Sequence, residues 1–290
     1  VGSTINSATV ENSTFNSNLN MGLLYQAITS GVITTSVVRN TTASSNTGLG
    51  IEMLAQVAGS MSTVTLENIT ANSNAGRGVY IFAQSDGDIA TATVDNLTAQ
   101  NNTGAAGRGI EIGSTGNGST IGNMTVENSL FSGNAQEGAY LYATTNTTTT
   151  TNTVNVTNVT STANGIRGVY IVSSAAADMG QVRIDGLTST NNLGGNGRGL
   201  EVTATGVGAS IAGITLENST FTGNAAIGAH LTAGSSASIT TIGISDVTAS
   251  ANASQGLLVQ AQSDGDIGTV TIEDTTTQNN TGANGVGLQV

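Results

Sequence analysis

The 290 residues carry six arginines, no lysine and eighteen acids, a net charge of −12, which opposes binding to nucleic acid or to an anionic membrane surface. Without cysteine the chain can form neither a disulfide framework nor a thiolate metal site, and no apolar run approaches the roughly 20 residues of a membrane-spanning helix. Pro and Trp are absent, Thr, Asn, Gly, Ala and Ser dominate, and the helix formers Leu, Glu, Lys and Arg are scarce, a composition of strands and turns.

A repeat organises the whole chain, with most steps 28 residues long. Such a period predicts a solenoid, because one repeat cannot bury its own apolar face and must lean on its neighbours. Residues 1–290 therefore read as a single elongated domain of about ten coils. Residues 63–90 serve as a typical coil. Val64 and Leu66 alternate with Thr63, Thr65 and Glu67, the period of a half-buried strand one. Asn68 follows, in a column of Asn12, Asn40, Asn96, Asn128, Asn158, Gly186, Asn218, Asp246 and Asp274. These residue types tolerate a left-handed backbone, so the chain turns a corner there.

Strand two points Ile69 and Ala71 inward. Where Phe15, Phe131 or Phe221 takes the second inward site, Ser13, Ser129 or Ser219 takes the first, an exchange of volume that a fixed cross-section requires. The next column is Asn18, Asn46, Asn74, Asn102, Asn134, Asn164, Asn192, Asn224, Asn252 and Asn280. It accepts neither Gly nor Asp, so the amide itself is needed, and stacked amides can hydrogen-bond along the axis as an asparagine ladder. Four or seven residues on comes a glycine in every coil, and then strand three, with Val79 and Ile81 inward and Tyr80 outward. A variable loop leads to an apolar residue such as Ile89, five positions before Val94 of the next coil.

Three short strands and three turns per coil give an all-β parallel β-helix. Units such as LENSTFTGNAAIGAHL at 216–231 resemble the degenerate repeats of right-handed parallel β-helix proteins: the pectin-lyase-like superfamily, polymorphic outer-membrane proteins and autotransporter passengers. The resemblance covers essentially the whole chain. It implies the right-handed hand, which spacing does not give, and carries no functional motif.

Above the single coil lies a three-coil cycle. TVDNLTAQNNTGAAGRG at 93–109 returns as RIDGLTSTNNLGGNGRG at 183–199 and TIEDTTTQNNTGANGVG at 271–287; these are coils of type A. Type B, the Phe coil, follows A, and type C covers 63–90, 153–180 and 241–268. The chain stops in an A coil and begins in a B coil, with VGSTINSATVENSTF aligning without a gap to 207–221. That phase match, together with the apolar end residues Val1, Ile5, Val10, Leu288 and Val290, predicts head-to-tail stacking into a homopolymer. A start at Val1 without Met or signal peptide reads as a processed secreted protein or an excised segment, so an extracellular or cell-surface location is expected.

No cofactor and no catalytic centre are expected. Acids form a column on strand one: Glu11, Glu67, Asp95, Glu127, Asp185, Glu217 and Glu273, interrupted by Arg39, Thr157 and Ser245. Glu67, Asp95 and Glu127, about 4.8 Å apart from coil to coil, crowd one another and could hold a divalent cation; the column reads first as a solvated stripe, and the basic motifs of polygalacturonase-like and pectate-lyase-like enzymes are missing. The calcium candidates are Asp86, Asp88, Asp264 and Asp266 in two DGD loops, which read otherwise as turns. Outward strand-three residues Tyr80, Glu111, Tyr140, Tyr170 and Glu201, flanked by Arg77, Arg108, Arg167 and Arg198, form either a contact surface for carbohydrate or protein or a set of cross-coil pairs such as Arg77 with Glu111. His230 has no ligand-type companion in sequence and reads as a surface residue. Thr14, Thr42, Thr70, Thr98, Thr160, Thr188, Thr220, Thr248 and Thr276 make an outward hydroxyl column on strand two, broken by Leu130. Ice-binding solenoids display such an array, and Thr is also the best polar strand residue. The leading reading is a secreted structural β-helix that stacks into a filament or stalk; the rival is an adhesin passenger.

Overall fold

The computed structural model describes residues 2–145, 150–282 and 285–290, which form strands and turns and no helix. Every strand pairing is parallel, between equivalent segments of successive coils. Strand three, from Leu23–Ile28 in the first complete coil through Val79–Gln84 to Leu288–Gln289 in the last, builds a sheet of ten strands among the described residues. Strands one and two share a second sheet, of sixteen strands. The expected corner separates them without ending the hydrogen-bond ladder. Its residues have φ between 44° and 55° at Asn or Asp and 70° at Gly186. Because the bend uses one residue, pairing skips only that residue: Glu67 pairs Asp95 and Ile69 pairs Leu97. Val32–Thr42, Ser60–Thr70 and Asp88–Gln100 therefore run straight through the corner as single strands.

Strand one starts earlier than the alternation alone indicates. Met61, Ile89 and Ile121 are in register inside it, so the apolar residue after the variable loop opens the strand. One residue is skipped after it, which turns Ile89, Ala92 and Val94 all inward. The core is one continuous column of such residues. Phe131 and Phe221 are fully buried, and the small residues that make room for them also bridge the backbone. Ser129 Oγ donates to the Glu127 carbonyl at 2.6 Å and accepts from Leu97 N–H at 3.1 Å.

The asparagine ladder is present and directional. Asn74 gives both its backbone N–H (2.9 Å) and its Nδ2 (3.1 Å) to Oδ1 of Asn102, and Nδ2 also reaches the Ala43 carbonyl at 3.0 Å. The paired donation to Oδ1 runs from Asn18 to Asn46 and on, coil by coil, to Asn280. Each interior amide thereby serves two donors and two acceptors, which is why Asp, lacking the N–H donors, never appears. The glycine that introduces strand three is set by the same contact. A Cβ at Gly78 would lie 2.6 Å from the Gly109 carbonyl and 2.9 Å from Nδ2 of Asn102.

Two further sets of left-handed residues close the coil. The position before each ladder Asn has positive φ, for instance Ser73, Asn101, Ala163 and Ala251. After strand three a tight turn places two consecutive residues there, as at Ser85 and Asp86, with Gly87 N–H bonding the Gln84 carbonyl at 3.0 Å. Of the predicted end residues, Val1 lies outside the described residues. Ile5 and Val290 are exposed, Leu288 is just exposed, and Val10 packs partly against the core.

Candidate functional site

The outer face of the ten-stranded sheet carries two adjacent side-chain columns. One is the residue just before the invariant glycine: Arg77, Arg108, Glu137, Arg167 and Arg198. The other lies two residues after that glycine: Tyr80, Glu111, Tyr140, Tyr170 and Glu201, with Tyr80 paired to Glu111, Glu111 to Tyr140, Tyr140 to Tyr170 and Tyr170 to Glu201. All nine predicted face residues thus meet in one belt, and Glu137, which sequence reasoning missed, joins them.

Within the belt each carboxylate is held by two arginines. Glu111 binds Arg77 and, at 2.8 Å, Arg108. Glu137 binds Arg108 at 2.8 Å and Arg167 at 3.0 Å. Glu201 binds Arg167 and, at 2.7 Å, Arg198. The guanidiniums also lie over tyrosine rings: Arg77 4.2 Å from the Tyr80 centroid, Arg108 4.9 Å from Tyr140, and Arg167 4.3 Å from Tyr170. Tyr140 stacks on Tyr170 at 5.1 Å. The three glutamates are turned away from the core yet buried, because the arginine stems and rings roof them. Burial pushes the Glu201 carboxyl up, but Arg167 and Arg198 outweigh it and hold it below the usual range. Burial raises the tyrosine hydroxyls, Tyr142 most.

A second aromatic row, Phe82 and Tyr142 with Leu54 and Val172, packs beside the first. Gly113 sits between Phe82 and Tyr142 in register, and a side chain there would collide with the Tyr142 ring. The missing side chain lets the ring lie flat, with its hydroxyl 3.3 Å from Glu111 Oε1.

Beyond Glu201 the belt changes character. His230, expected at the surface, is buried, because Arg198 and Glu201 of the preceding coil close over it. Its Nδ1 lies 3.8 Å from Glu201 Oε1, and the Gln260 side chain of the following coil faces the ring. Desolvation, with Arg198 next, lowers its pKa to about 4, so the ring is neutral at pH 7. Thr203 and Thr232, adjacent in register, bury unpartnered hydroxyls.

The other candidates stay apart from this belt. Glu67, Asp95 and Glu127 stand in register on strand one, and Asp95 accepts from Asn128 at 2.8 Å. Arg39, read as an interruption of the acid column, bridges Glu11 at 3.2 Å and Glu67 at 3.8 Å, and Arg183 bridges Asp185 and Glu217. Asp86 and Asp264 occupy left-handed turn positions, and Asp88 accepts from Thr120 Oγ1 at 2.6 Å. Among the described residues no three His, Cys, Asp or Glu gather to hold a metal ion, and no helix is long and apolar enough to cross a membrane. The threonine column stands in register on strand two, with Leu130 between Thr98 and Thr160.

A family profile described as "right handed beta helix region" matches residues 2–179. The chain belongs to the right-handed β-helix family. The parallel stack described above, with its directional amide ladder, is that family's architecture carried through about ten coils. No curated protein and no solved structure matches this β-helix.

Proposed function

We propose that this β-helix is an extracellular structural element, without a catalytic centre, that extends by head-to-tail stacking into a filament or surface stalk. The observation that carries the reading is the polarity of the ladder. Each interior Asn offers Oδ1 to the coil before it and two N–H donors to the coil after it. Any stack of such coils therefore presents carboxamide oxygens toward one end and N–H donors toward the other. Acceptor end and donor end are complementary, and a heterologous contact of this kind generates an open polymer.

The outer belt supports the structural reading over the adhesin reading, because its arginines and glutamates already satisfy one another along the axis. Light scattering and negative-stain microscopy of the 290-residue chain test the proposal: fibres one solenoid wide are expected, and monomeric rods at high concentration defeat it. Incubation with pectins, alginate and other acidic polysaccharides should give no product. Product formation abolished by Glu67→Gln or Glu127→Gln would replace the structural reading with an enzymatic one.

A further inference from the structure

In four successive coils both outward sites of strand two carry hydroxyls. The pairs are Thr160 with Thr162, Thr188 with Thr190, Thr220 with Thr222 and Thr248 with Ser250, and the residue between each pair is buried. The four strands are parallel and in register. Equivalent residues therefore stand about 4.8 Å apart from coil to coil, and the two outward sites of one strand about 6.6 Å apart, twice the rise per residue. Two columns and four rows of side-chain oxygens make a regular net.

The net is held from one side. Two residues after each second hydroxyl comes a ladder asparagine, and Asn164, Asn192, Asn224 and Asn252 hand their paired hydrogen bonds from coil to coil beside it. Side-chain ladders of this kind keep stacked strands flat. In the second column Thr190 Oγ1 donates to Thr162 Oγ1 at 3.0 Å, and the oxygens of Thr222 and Ser250 lie 3.2 Å apart. In the first column Thr160 and Thr188 are exposed and Thr220 and Thr248 half-buried, with hydroxyls that no described residue bonds. No charge stands within the net, and the nearest carboxylates in sequence, Asp185, Glu217 and Asp246, lie at or before the corner. Strand one also displays threonine pairs, Thr63 with Thr65 and Thr91 with Thr93, but each runs directly into a carboxylate, Glu67 or Asp95, whose hydration is centred on its charge.

Independently of how the coils are extended, we propose that the hydroxyl net of strand two binds ice. Its two repeats lie close to those of the oxygen rows on a prism face of hexagonal ice. β-Branching limits χ1 of each threonine, so the oxygens keep their positions. Waters bonded to such a net already stand near lattice sites, and joining the crystal orders them little further. A charged or mobile surface offers no such template.

Slow freezing of a dilute solution onto a cold finger partitions the protein between ice and liquid, and a nanolitre osmometer reads the gap between melting and freezing points. The unsubstituted chain is expected to enter the ice and to open a gap that widens with concentration. The double variant Thr188→Lys, Thr220→Lys is expected to return the protein to the liquid and to close the gap, with its circular dichroism unchanged. Should that pair fail to fold, Thr248→Lys reads the same net from the adjacent coil. Thr93→Lys, on strand one, is expected to leave both readouts as they were. Exclusion of the unsubstituted chain from ice overturns the proposal, as does loss of ice entry in Thr93→Lys with retention in the double variant. Lateral dimers that the double variant dissolves, without ice entry by the unsubstituted chain, overturn it in favour of self-association through this face.

Discussion

The inner ladder and the outer belt both sew coils together, and they do it in opposite ways. The ladder uses one residue type, repeats it in every coil, and satisfies it with neighbours at the same position one coil away. The belt is confined to residues 77–201 and alternates Arg, Glu and Tyr, so that each carboxylate finds two cations in different coils. The ladder loses little when one coil changes its surface. The belt is a chain of charges in which every interior member has two partners, so removing one takes a partner from each of two others. Repetition gives tolerance, and alternation gives mutual dependence.

The sharpest way to test that difference is to remove the central carboxylate. Glu137→Ala should destabilise the protein by about 3–5 kcal/mol in denaturant unfolding, because two charge-assisted bonds are lost together and Arg108 and Arg167, both more than three-quarters buried, are each left with one carboxylate, Glu111 and Glu201. Replacing Arg108, Glu137 and Arg167 together by leucines should recover much of the loss, since Glu111 with Arg77 and Glu201 with Arg198 then remain as balanced pairs and no excess buried cation is left.

Acid reaches the polar end of the belt through His230. Its folded pKa, about 4, lies below the ordinary 6.5, so the unfolded chain binds the proton more readily. The stability this ring contributes is complete above pH 6.5 and is lost as pH falls toward 4, by about 3 kcal/mol at most. Glu201 faces the ring at 3.8 Å and Arg198 and Arg167 stand behind it; with its own carboxyl held low, Glu201 stays charged across most of that window. Unfolding measured from pH 7 to pH 4 should show the drop, and His230→Gln should flatten it.

In the ladder, Asn134→Ala and Asn164→Ala should each cost about 1–3 kcal/mol, the penalty of leaving buried backbone groups without partners. The two losses should be similar to each other, and unchanged thermal stability in both would remove the ladder from the account of what holds the stack. The smallest effect runs the other way. Val57 is β-branched and sits in a left-handed turn at φ 52°. Val57→Gly should raise stability by about 1 kcal/mol, readable as a small rise in melting temperature, because the strain is local and the side chain is exposed.

The corner column, the volume exchange between Phe131 and Ser129 and the ladder asparagines were all legible from the sequence. Each is a local requirement repeated at a fixed spacing: a left-handed φ at Asn68, a constant cross-section, a buried turn amide at Asn102. Periodicity turns such a requirement into a column of like residues, and the column identifies it. The left-handed positions before the ladder escaped because Ser, Asn, Gly and Ala all serve there, so no column of one type forms.

The belt was legible only in part: its nine face residues and the pairing of Arg77 with Glu111 stood out as neighbouring columns, whereas its closure did not. Its residues stand at regular positions, but their meaning depends on which residue occupies the next coil. Glu137 takes a place held elsewhere by arginine, and it matters because Arg108 and Arg167 lie on either side of it. Gly113 matters because Tyr142 needs the space above it, and His230 is buried because Arg198 and Glu201 precede it. The sequence by itself determined the coil, its corners and its amide spine, since these are solved within one repeat and copied. Tertiary structure decided most partners on the outer face, the sharing of Glu137, the flat Tyr142 ring and the burial of His230 among them, since burial and pairing there arise only when unlike coils are stacked.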